Sequence, residues 1–324
     1  MIFENFIQQY NLGKILSIKT DSVGSGNNYN VETESGKYFA KFFKNDDALN
    51  FPEREIKVVN CLREKKVPVA EFVLNKHNEY LTKIDNESGH LQRFLKGITY
   101  INNNLPDNIL MESAQILGNI HSCLYPHTDN NDNCFLKKIS LIQNNLRELQ
   151  KISEIIKEKK IETNLRIEKE LDYRIHLLER YTKADLENIF KEFTFGLTHG
   201  DYNCRQLLVD KGKISTVLDF SRASNRPYIW EIVRSYTIGS KKCRNGEIDF
   251  IDFEKYMEEY SSRFKLKKFD INYAWEMYKI QLAGSPFGYY EYVYKNDPGV
   301  LAFATWRTKI IKAIENQVDL LRLI

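Results

Sequence analysis

The residues with the clearest chemical pattern are His199, Asp201, Gln206 and Asp219, which lie in and just after a loop flanked by short apolar runs. In phosphoryl transfer, one aspartate orients and deprotonates the attacking hydroxyl group, while a second carboxylate and an amide oxygen hold Mg²⁺ on the nucleotide. We therefore predict Asp201 as the catalytic base, with Gln206 and Asp219 as metal ligands. His199 is predicted to support the loop through hydrogen bonds rather than to act as the base. The spacing of these residues predicts a kinase.

A second set of residues is suited to holding nucleotide phosphates. Gly24, Ser25 and Gly26 form a Gly-x-Gly turn between two predicted strands, whose backbone N–H groups are able to face phosphate oxygens. Lys41, on the third predicted strand, is placed to bridge two phosphates. Glu55 lies on the apolar stripe of a predicted helix, where a carboxylate needs a partner, and Lys41 would provide one. Because Gly-x-Gly alone also fits an ordinary hairpin turn, the prediction depends on the order of all these residues.

The elements that must position these residues change in type along the chain. The first part has short β-branched or aromatic runs separated by turn residues, with strands predicted at 15–18, 29–33, 37–43, 80–84 and 90–95 and one helix at 52–62. After Pro106, apolar residues recur every three to four positions, with helices predicted at 109–124, 135–160, 165–190 and from 230 onward and a second strand pair at 195–198 and 206–220. We predict an α+β fold with a small β-rich nucleotide-binding lobe, residues 1–95, and a larger, mainly helical lobe, residues 96–324, that carries the catalytic loop and the acceptor site.

Composition argues against several classes of protein. A chain of 324 residues with a net charge of +3 and no long basic block is long enough for two lobes and does not point to a nucleic-acid partner. The five cysteines are scattered without a C-x-x-C pair, which favours a reducing cytoplasm over a disulfide framework or a zinc site. No signal-peptide pattern is present, and no apolar run approaches the ~20 residues of a membrane helix. A soluble, cytoplasmic protein without a membrane partner is expected.

These motifs resemble those of the aminoglycoside phosphotransferase and choline kinase family, a branch of the protein-kinase-like fold. The family pattern His-Gly-Asp-x-x-x-x-Asn corresponds to residues 199–206, and the pattern Ile-Asp-Phe/Trp corresponds to residues 218–220. Residues 227–233 resemble the stretch that follows in relatives, with Glu231 where an aspartate is usual, and this carboxylate is expected to brace the catalytic loop. Residues 115–121 resemble the Leu-Gly-x-Leu-His helix of these enzymes.

The resemblance implies a two-lobed protein-kinase-like fold, ATP or GTP as phosphoryl donor, Mg²⁺, and a hydroxyl group of a small molecule as acceptor. It also implies a hinge around residues 93–97, where Arg93 and Leu95 are expected to offer backbone groups to the nucleotide base. The sequence departs from the family pattern at Gln206, which replaces asparagine but keeps the oxygen that a metal needs.

The sequence indicates the reaction type more clearly than it indicates the acceptor molecule. An amino-sugar, an aminoglycoside or a similar small metabolite is the leading prediction, and homoserine, choline or a sugar are alternatives. A polycationic acceptor favours a surplus of carboxylates, yet 47 Lys and Arg residues stand against 44 Asp and Glu residues. The aromatic run at 287–294 either stacks on the acceptor or packs between helices.

Two other readings of the sequence remain. One is a nucleotide-binding pseudokinase or sensor module without turnover. The other, a protein kinase, is disfavoured because Asp219-Phe220-Ser221 stands in place of Asp-Phe-Gly and no Ala-Pro-Glu follows. The sequence does not predict an oligomeric state.

Overall fold

The chain forms a small lobe around an antiparallel sheet, followed by a larger and mainly helical lobe, which confirms the predicted fold class. The computed structural model describes residues 2–21, 27–44, 52–85, 87–125, 134–158 and 162–321. In this part of the chain, no helix combines the length and the apolar character needed to cross a bilayer.

The small lobe is built on six antiparallel strands. They are β1 (Ile15–Asp21), β2 (Asn27–Thr33), β3 (Gly36–Lys44), β4 (Phe72–Val73), β5 (Leu81–Ile84) and β6 (Glu87–Arg93). The order is β1-β2-β3-β6-β4, and β5 also pairs with β6. Because side chains alternate along a strand, Tyr38, Ala40 and Phe42 of β3 pack into one apolar cluster while Lys41 faces the other side of the sheet.

Two helices cover the two faces of this sheet. Helix α1 (Ile2–Ile7) places Phe6 in the apolar cluster of β3, and helix α2 (Pro52–Glu64) covers the face to which Lys41 points. The sequence did not predict α1, because a helix of six residues has little stability of its own and depends on packing against the sheet. In α2 the predicted apolar stripe is buried and includes Glu55.

The large lobe contains ten helices within the described residues. They are α3 (Asp107–Leu124), α4 (Cys134–Glu158), α5 (Glu162–Glu179), α6 (Lys183–Lys191), α7 (Tyr228–Gly239), α8 (Phe250–Ser261), α9 (Lys268–Asn272), α10 (Ala274–Ala283), α11 (Tyr289–Lys295) and α12 (Leu301–Leu321). The single helix predicted at 165–190 is therefore wrong, since α5 ends and α6 begins within it. Thr182 causes the break: its side chain caps the N–H of Asp185, whose carboxylate accepts from the N–H of Thr182 in return.

The predicted strand pair of the large lobe is wrong in its pairing. Strand β7 (Phe195–Thr198) pairs with β10 (Ser224–Pro227), and β8 (Leu207–Asp210) pairs with β9 (Lys213–Val217). The turn between β8 and β9 has positive φ at Lys211 (48°) and Gly212 (75°), the backbone of a type I′ hairpin, which splits the strand predicted at 206–220. The two strand pairs together place one loop between β7 and β8 and another between β9 and β10.

Candidate active site

A cleft of about 420 Å³ lies between the two lobes. The small lobe contributes Lys41 and Glu55 to its wall, and the large lobe contributes Gln206 and Asp219. The segment 93–97, where the chain leaves the sheet, lines the same cleft with Arg93, Phe94, Leu95 and Gly97. Residues that lie far apart in the sequence therefore share one solvent-accessible space.

Lys41 connects the two sides of this cleft. Its Nζ atom lies 3.3 Å from Oε2 of Glu55 and 2.5 Å from Oδ1 of Asp219. Glu55, only 1% exposed, also receives a contact of 3.3 Å from Nε2 of the buried His90. Burial by itself lowers the pKa of Lys41, but the charges of Glu55 and Asp219 raise it above its ordinary value. The ammonium group is therefore held in its charged form, which is the form that binds phosphate.

Asp219 lies just after β9 with a positive φ of 58°, which turns the chain sharply at this point. The Ser221 hydroxyl donates a hydrogen bond of 2.6 Å to Oδ1 of Asp219. Although burial acts to raise the pKa of this carboxyl group, the charge of Lys41 and the donated hydrogen bonds lower it well below its usual range. Asp219 is thus ionised at neutral pH, as a metal ligand must be.

Asp201 lies in the loop between β7 and β8 and is held from two sides. Arg234 of α7 donates a hydrogen bond of 2.5 Å from Nη2 to Oδ1 of Asp201, and Gln206 donates one of 3.4 Å from Nε2 to Oδ2. This orientation of the amide leaves Oε1 of Gln206 available to a cation. Within the loop, Asn203 accepts from the N–H of Arg205 at 2.9 Å, which forms the turn that brings Gln206 back to Asp201.

His199 ties this loop to the strand that precedes Asp219. Its Nε2 donates a hydrogen bond of 2.8 Å to the carbonyl oxygen of Leu218, and its Nδ1 accepts one of 3.2 Å from the N–H of Asp201. These partners assign the tautomer with the proton on Nε2. With both nitrogens used in this way, His199 has the contacts of a residue that supports the loop.

Glu231 lies beneath the loop at the start of α7 and is fully buried. Its carboxylate accepts hydrogen bonds from the N–H groups of His199 (3.0 Å) and Gly200 (2.6 Å) and one of 3.1 Å from Nε2 of His121. Burial acts to raise the pKa of Glu231, but the hydrogen bond from His121 lowers it to about 2. Burial also lowers the pKa of His121, whose Nδ1 lies 2.8 Å from the hydroxyl oxygen of Tyr260.

The structure does not assign a nucleotide contact to every residue predicted to bind the nucleotide. Gly24, Ser25 and Gly26 lie outside the described residues. Arg93 and Leu95 line the cleft, but the N–H of Arg93 already donates to the carbonyl oxygen of Glu71 at 2.9 Å. Of the backbone groups of Arg93, only its carbonyl therefore remains for a nucleotide base.

Sequence reasoning did not identify Arg234 and gave no role to His121. A signal for Arg234 exists, because it is the one cation in helix α7 and lies three positions after Glu231, on the same face. His121 ends a segment whose family resemblance the sequence does show. Its contact with Glu231 joins residues 110 positions apart, which no local pattern indicates.

Comparison with known proteins identifies a family whose model matches this chain and a set of structures with a similar fold. Residues 17–251 match the family described as the phosphotransferase enzyme family. Among curated protein sequences, none matches this chain.

Three similar structures illustrate the fold. The amicoumacin kinase hAmiN, solved in complex with AMP-PNP, Ca²⁺ and Ami, has a TM-score of 0.63 at 11% identity, over 96% of this chain and 92% of that one. An aminoglycoside phosphotransferase from Alicyclobacillus acidocaldarius has a TM-score of 0.62 at 17% identity, over 97% and 95% of the two chains. The choline kinase LicA from Streptococcus pneumoniae has a TM-score of 0.55 at 15% identity, over 93% and 94%.

Proposed function

Because this chain belongs to the phosphotransferase enzyme family, we propose that it transfers the γ-phosphoryl group of ATP or GTP to a hydroxyl group of a small molecule. The observation that carries this proposal is the position of Gln206, which links Asp201 to the cleft. Gln206 lines the cleft together with Asp219, and its Nε2 donates to Oδ2 of Asp201 at 3.4 Å. One amide side chain therefore connects the base for the acceptor with the cleft that contains the carboxylate for the metal.

Asp201 has the surroundings of a base that accepts the proton of the acceptor hydroxyl group. Arg234 fixes one carboxylate oxygen and Gln206 contacts the other, so the carboxylate is oriented before the acceptor binds. Lys41, held charged by Glu55, would bind the phosphates of the donor and stabilise the negative charge that the leaving diphosphate gains. His199 and Glu231 would keep the loop in a fixed position relative to the segment after β9, which carries Asp219.

The residues present fit a hard divalent cation. Ionised carboxylate and amide oxygens are the ligands that Mg²⁺ prefers, and Asp219 and Oε1 of Gln206 supply both on one wall of the cleft. When bound, Mg²⁺ would neutralise phosphate charge. We expect these two side chains to hold it, together with phosphate oxygens of the donor.

A transfer assay tests the proposal. Purified protein is incubated with ATP or GTP, Mg²⁺ and a panel of amino-sugars, aminoglycosides, homoserine, choline and sugars, and diphosphate release is followed. We expect transfer to at least one acceptor, and Asp201→Asn should lower kcat by about 10²–10⁴-fold without weakening nucleotide binding. Absence of transfer to every acceptor, with no difference between the parent protein and Asp201→Asn, would contradict the proposal.

A second measurement separates an enzyme from a nucleotide-binding module. A nucleotide that binds only the folded state raises its stability by mass action. In an enzyme that uses Asp219 for metal, this stabilisation should increase with Mg²⁺ and lose that increase in Asp219→Asn. Stabilisation that ignores Mg²⁺, in the absence of turnover, would instead indicate a nucleotide sensor.

A further inference from the structure

Two polar side chains of β6 lie on the cleft side of the small sheet. His90 and Gln92 are two positions apart, so both leave the strand on one face, and Leu91 between them packs into the apolar cluster on the other face. In the register of β3 and β6, His90 is opposite Lys41 and Gln92 is opposite Phe39. His90 is fully buried, whereas Gln92 is 9% exposed and lines the cleft. Strand β6 therefore carries polar groups from the side of Lys41 into the cleft.

The imidazole of His90 is held in one orientation and one tautomer. Its ring packs against the rings of Phe43 and Phe72, at centre-to-centre distances of 5.4 and 4.7 Å. Its Nε2 lies 3.3 Å from Oε2 of Glu55. Although burial acts to raise the pKa of Glu55, the charge of Lys41 lowers it below its usual value, so this carboxylate is ionised and only accepts hydrogen bonds. The proton of the neutral imidazole therefore lies on Nε2, and Nδ1 is left as an acceptor.

This tautomer sets the orientation of the Gln92 amide. Nε2 of Gln92 lies 3.5 Å from Nδ1 of His90 and donates to it, because an amide nitrogen does not accept hydrogen bonds. Rotation of the amide by half a turn would place Oε1 against the lone pair of Nδ1, which is unfavourable. Oε1 is consequently the atom that Gln92 presents to the cleft. Among the described residues, no donor bonds this oxygen.

Gln92 is placed where a base, rather than a phosphate, would lie. A step of two residues along a strand is about 7 Å, so Gln92 lies about this distance beyond Lys41 toward the segment 93–97, which lines the same cleft. Phe39, opposite Gln92, and Leu208 of the large lobe also line this cleft, and their apolar side chains suit the faces of a planar base. A nucleotide whose phosphates contact Lys41 would therefore bring the edge of its base to Gln92.

We propose that Gln92 selects the base of the phosphoryl donor and that it selects adenine over guanine. Adenine carries an amino group at C6, which donates a hydrogen bond, whereas guanine carries an oxygen there, which accepts one. Oε1 of Gln92 would bond the amino group and repel the oxygen. His90 is then a positioning residue, because it acts on the base only through the orientation of Gln92. The inference rests on the proposed function and gives it ATP as the donor.

Four triphosphates test the choice of base. ATP and 2,6-diaminopurine riboside triphosphate carry an amino group at C6, ITP and GTP carry an oxygen there, and the second member of each pair adds an amino group at C2. Isothermal titration calorimetry on the full chain with Mg²⁺ gives Kd for each, and it requires no acceptor. We expect both C6-amino nucleotides to bind about tenfold to a hundredfold more tightly than their C6-oxygen counterparts. The amino group at C2 should change Kd much less.

Substitution of Gln92 provides the second arm. Gln92→Met keeps the approximate length of the side chain and removes the acceptor oxygen, so the ratio of Kd for ITP to Kd for ATP should fall to within about threefold of one. Gln150→Met is a matched control, because the Gln150 amide contacts Glu179 away from the cleft. This control should keep the parent ratio.

A third variant tests the role of His90. In His90→Gln, the new amide nitrogen is able to replace Nε2 as the donor to Glu55, but the lone pair of Nδ1 is lost and Gln92 is free to turn its Nε2 toward the base. Kd for ITP should therefore fall relative to Kd for ATP by about tenfold. Damage to the fold or to Lys41 would instead weaken both nucleotides alike and keep the parent ratio, and that result would overturn the role of His90.

The outcomes separate this inference from the proposed function. Affinities that group by the amino group at C2, that are equal for all four triphosphates, or that favour the C6 oxygen would overturn the selection of adenine and leave the kinase assignment standing. A parent ratio that survives in Gln92→Met would show that another group reads the base. If that variant does not fold, the comparison of the four triphosphates on the parent protein still decides. Absence of binding of every triphosphate, together with absence of transfer, would overturn the proposed function itself.

Discussion

At the scale of single residues, Glu231 determines the shape of the catalytic loop. One carboxylate accepts from two consecutive backbone N–H groups and from an imidazole, so three donors that would otherwise be buried without partners are satisfied together. The arrangement requires an acceptor on both carboxylate oxygens. An amide cannot replace it, because one of its two atoms is a donor.

Glu231→Gln should therefore destabilise the protein by roughly 3 kcal/mol at neutral pH, because the shift of the pKa from 4.5 to about 2 corresponds to a free energy of that order. The sign of the pH dependence follows from the lowered pKa. The stability that Glu231 contributes is present above pH 4.5 and is lost as the pH falls toward about 2. Urea unfolding of both proteins across this range should show the difference between them shrinking in acid.

Glu112→Gln is a suitable control, because this carboxylate accepts a single backbone hydrogen bond from Ile214 and lies outside the loop. Its difference from the parent protein should be small at every pH. A difference for Glu231→Gln that stays constant between neutral pH and pH 2 would mean that the charge of Glu231 does not stabilise the fold.

At the scale of elements, the catalytic loop depends on a glycine at its start. Gly200 has a φ of +85°, and a Cβ atom there would lie 1.8 Å from the carbonyl oxygen of Arg222. The loop after β7 and the segment before β10 therefore approach each other more closely than any side chain allows. Since this approach sets the position of Asp201, a small displacement should affect catalysis strongly.

Gly200→Ala should lower kcat by at least about a hundredfold, because the clash moves the loop that holds Asp201. Gly212→Ala is a matched control: its φ of +75° imposes the same left-handed strain, but nothing lies within 4 Å of the added Cβ. We expect Gly212→Ala to cost only about 1–2 kcal/mol of stability and to keep its activity. Equal loss of activity in both variants would show that backbone strain, rather than the contact with Arg222, is responsible.

The same elements show what a sequence is able to reveal. Alternation identifies β3, and helical spacing identifies α2 and α3, because each of these elements has one buried face that repeats along the chain. Helix α1 and the break between α5 and α6 were missed because a short packed helix and a capping box are weak signals within long apolar or charged patterns.

Strand pairing is harder to predict, because β7 pairs with β10, and the β8–β9 hairpin lies between these two strands in the sequence. The candidate site divides in the same way. Spacing within one loop points to Asp201 and Gln206, whereas the contact of Arg234 with Asp201 depends on how α7 packs beneath that loop. Residues joined by a motif are visible in the sequence, and residues joined only by packing are not.

At the scale of the whole molecule, the two lobes meet through apolar packing, backbone pairing and charge. The apolar face of α2 belongs to the same buried cluster as the helices of the large lobe, backbone pairing joins Val69 to Val217, and Lys41 bonds Asp219 across 178 positions of sequence. The Lys41 connection differs from the other two because it is made of charges that a nucleotide would also contact. Binding of the donor and association of the lobes should therefore be linked through this side chain.

The three members of this ion cluster are buried to different degrees. Glu55 is 1% exposed, whereas the side chain of Asp219 is 42% exposed and keeps much of its hydration when Lys41 is removed. Loss of the lysine should therefore destabilise mainly Glu55, which among the described residues keeps only His90 as a partner. A buried carboxylate that loses its counter-ion is costly, whereas replacement of both partners by apolar residues of similar size is close to neutral.

Lys41→Met should accordingly destabilise the protein by roughly 3–5 kcal/mol, and Lys41→Met combined with Glu55→Leu should recover most of that loss. Neither variant should regain phosphoryl transfer, because both lack the ammonium group that binds the donor phosphates. Urea unfolding reports the stability, and KM for ATP together with kcat reports the function. A double variant as unstable as Lys41→Met would show that the ion pair stabilises the fold beyond the cost of burying Glu55. A double variant that regains activity would remove Lys41 from the reaction altogether.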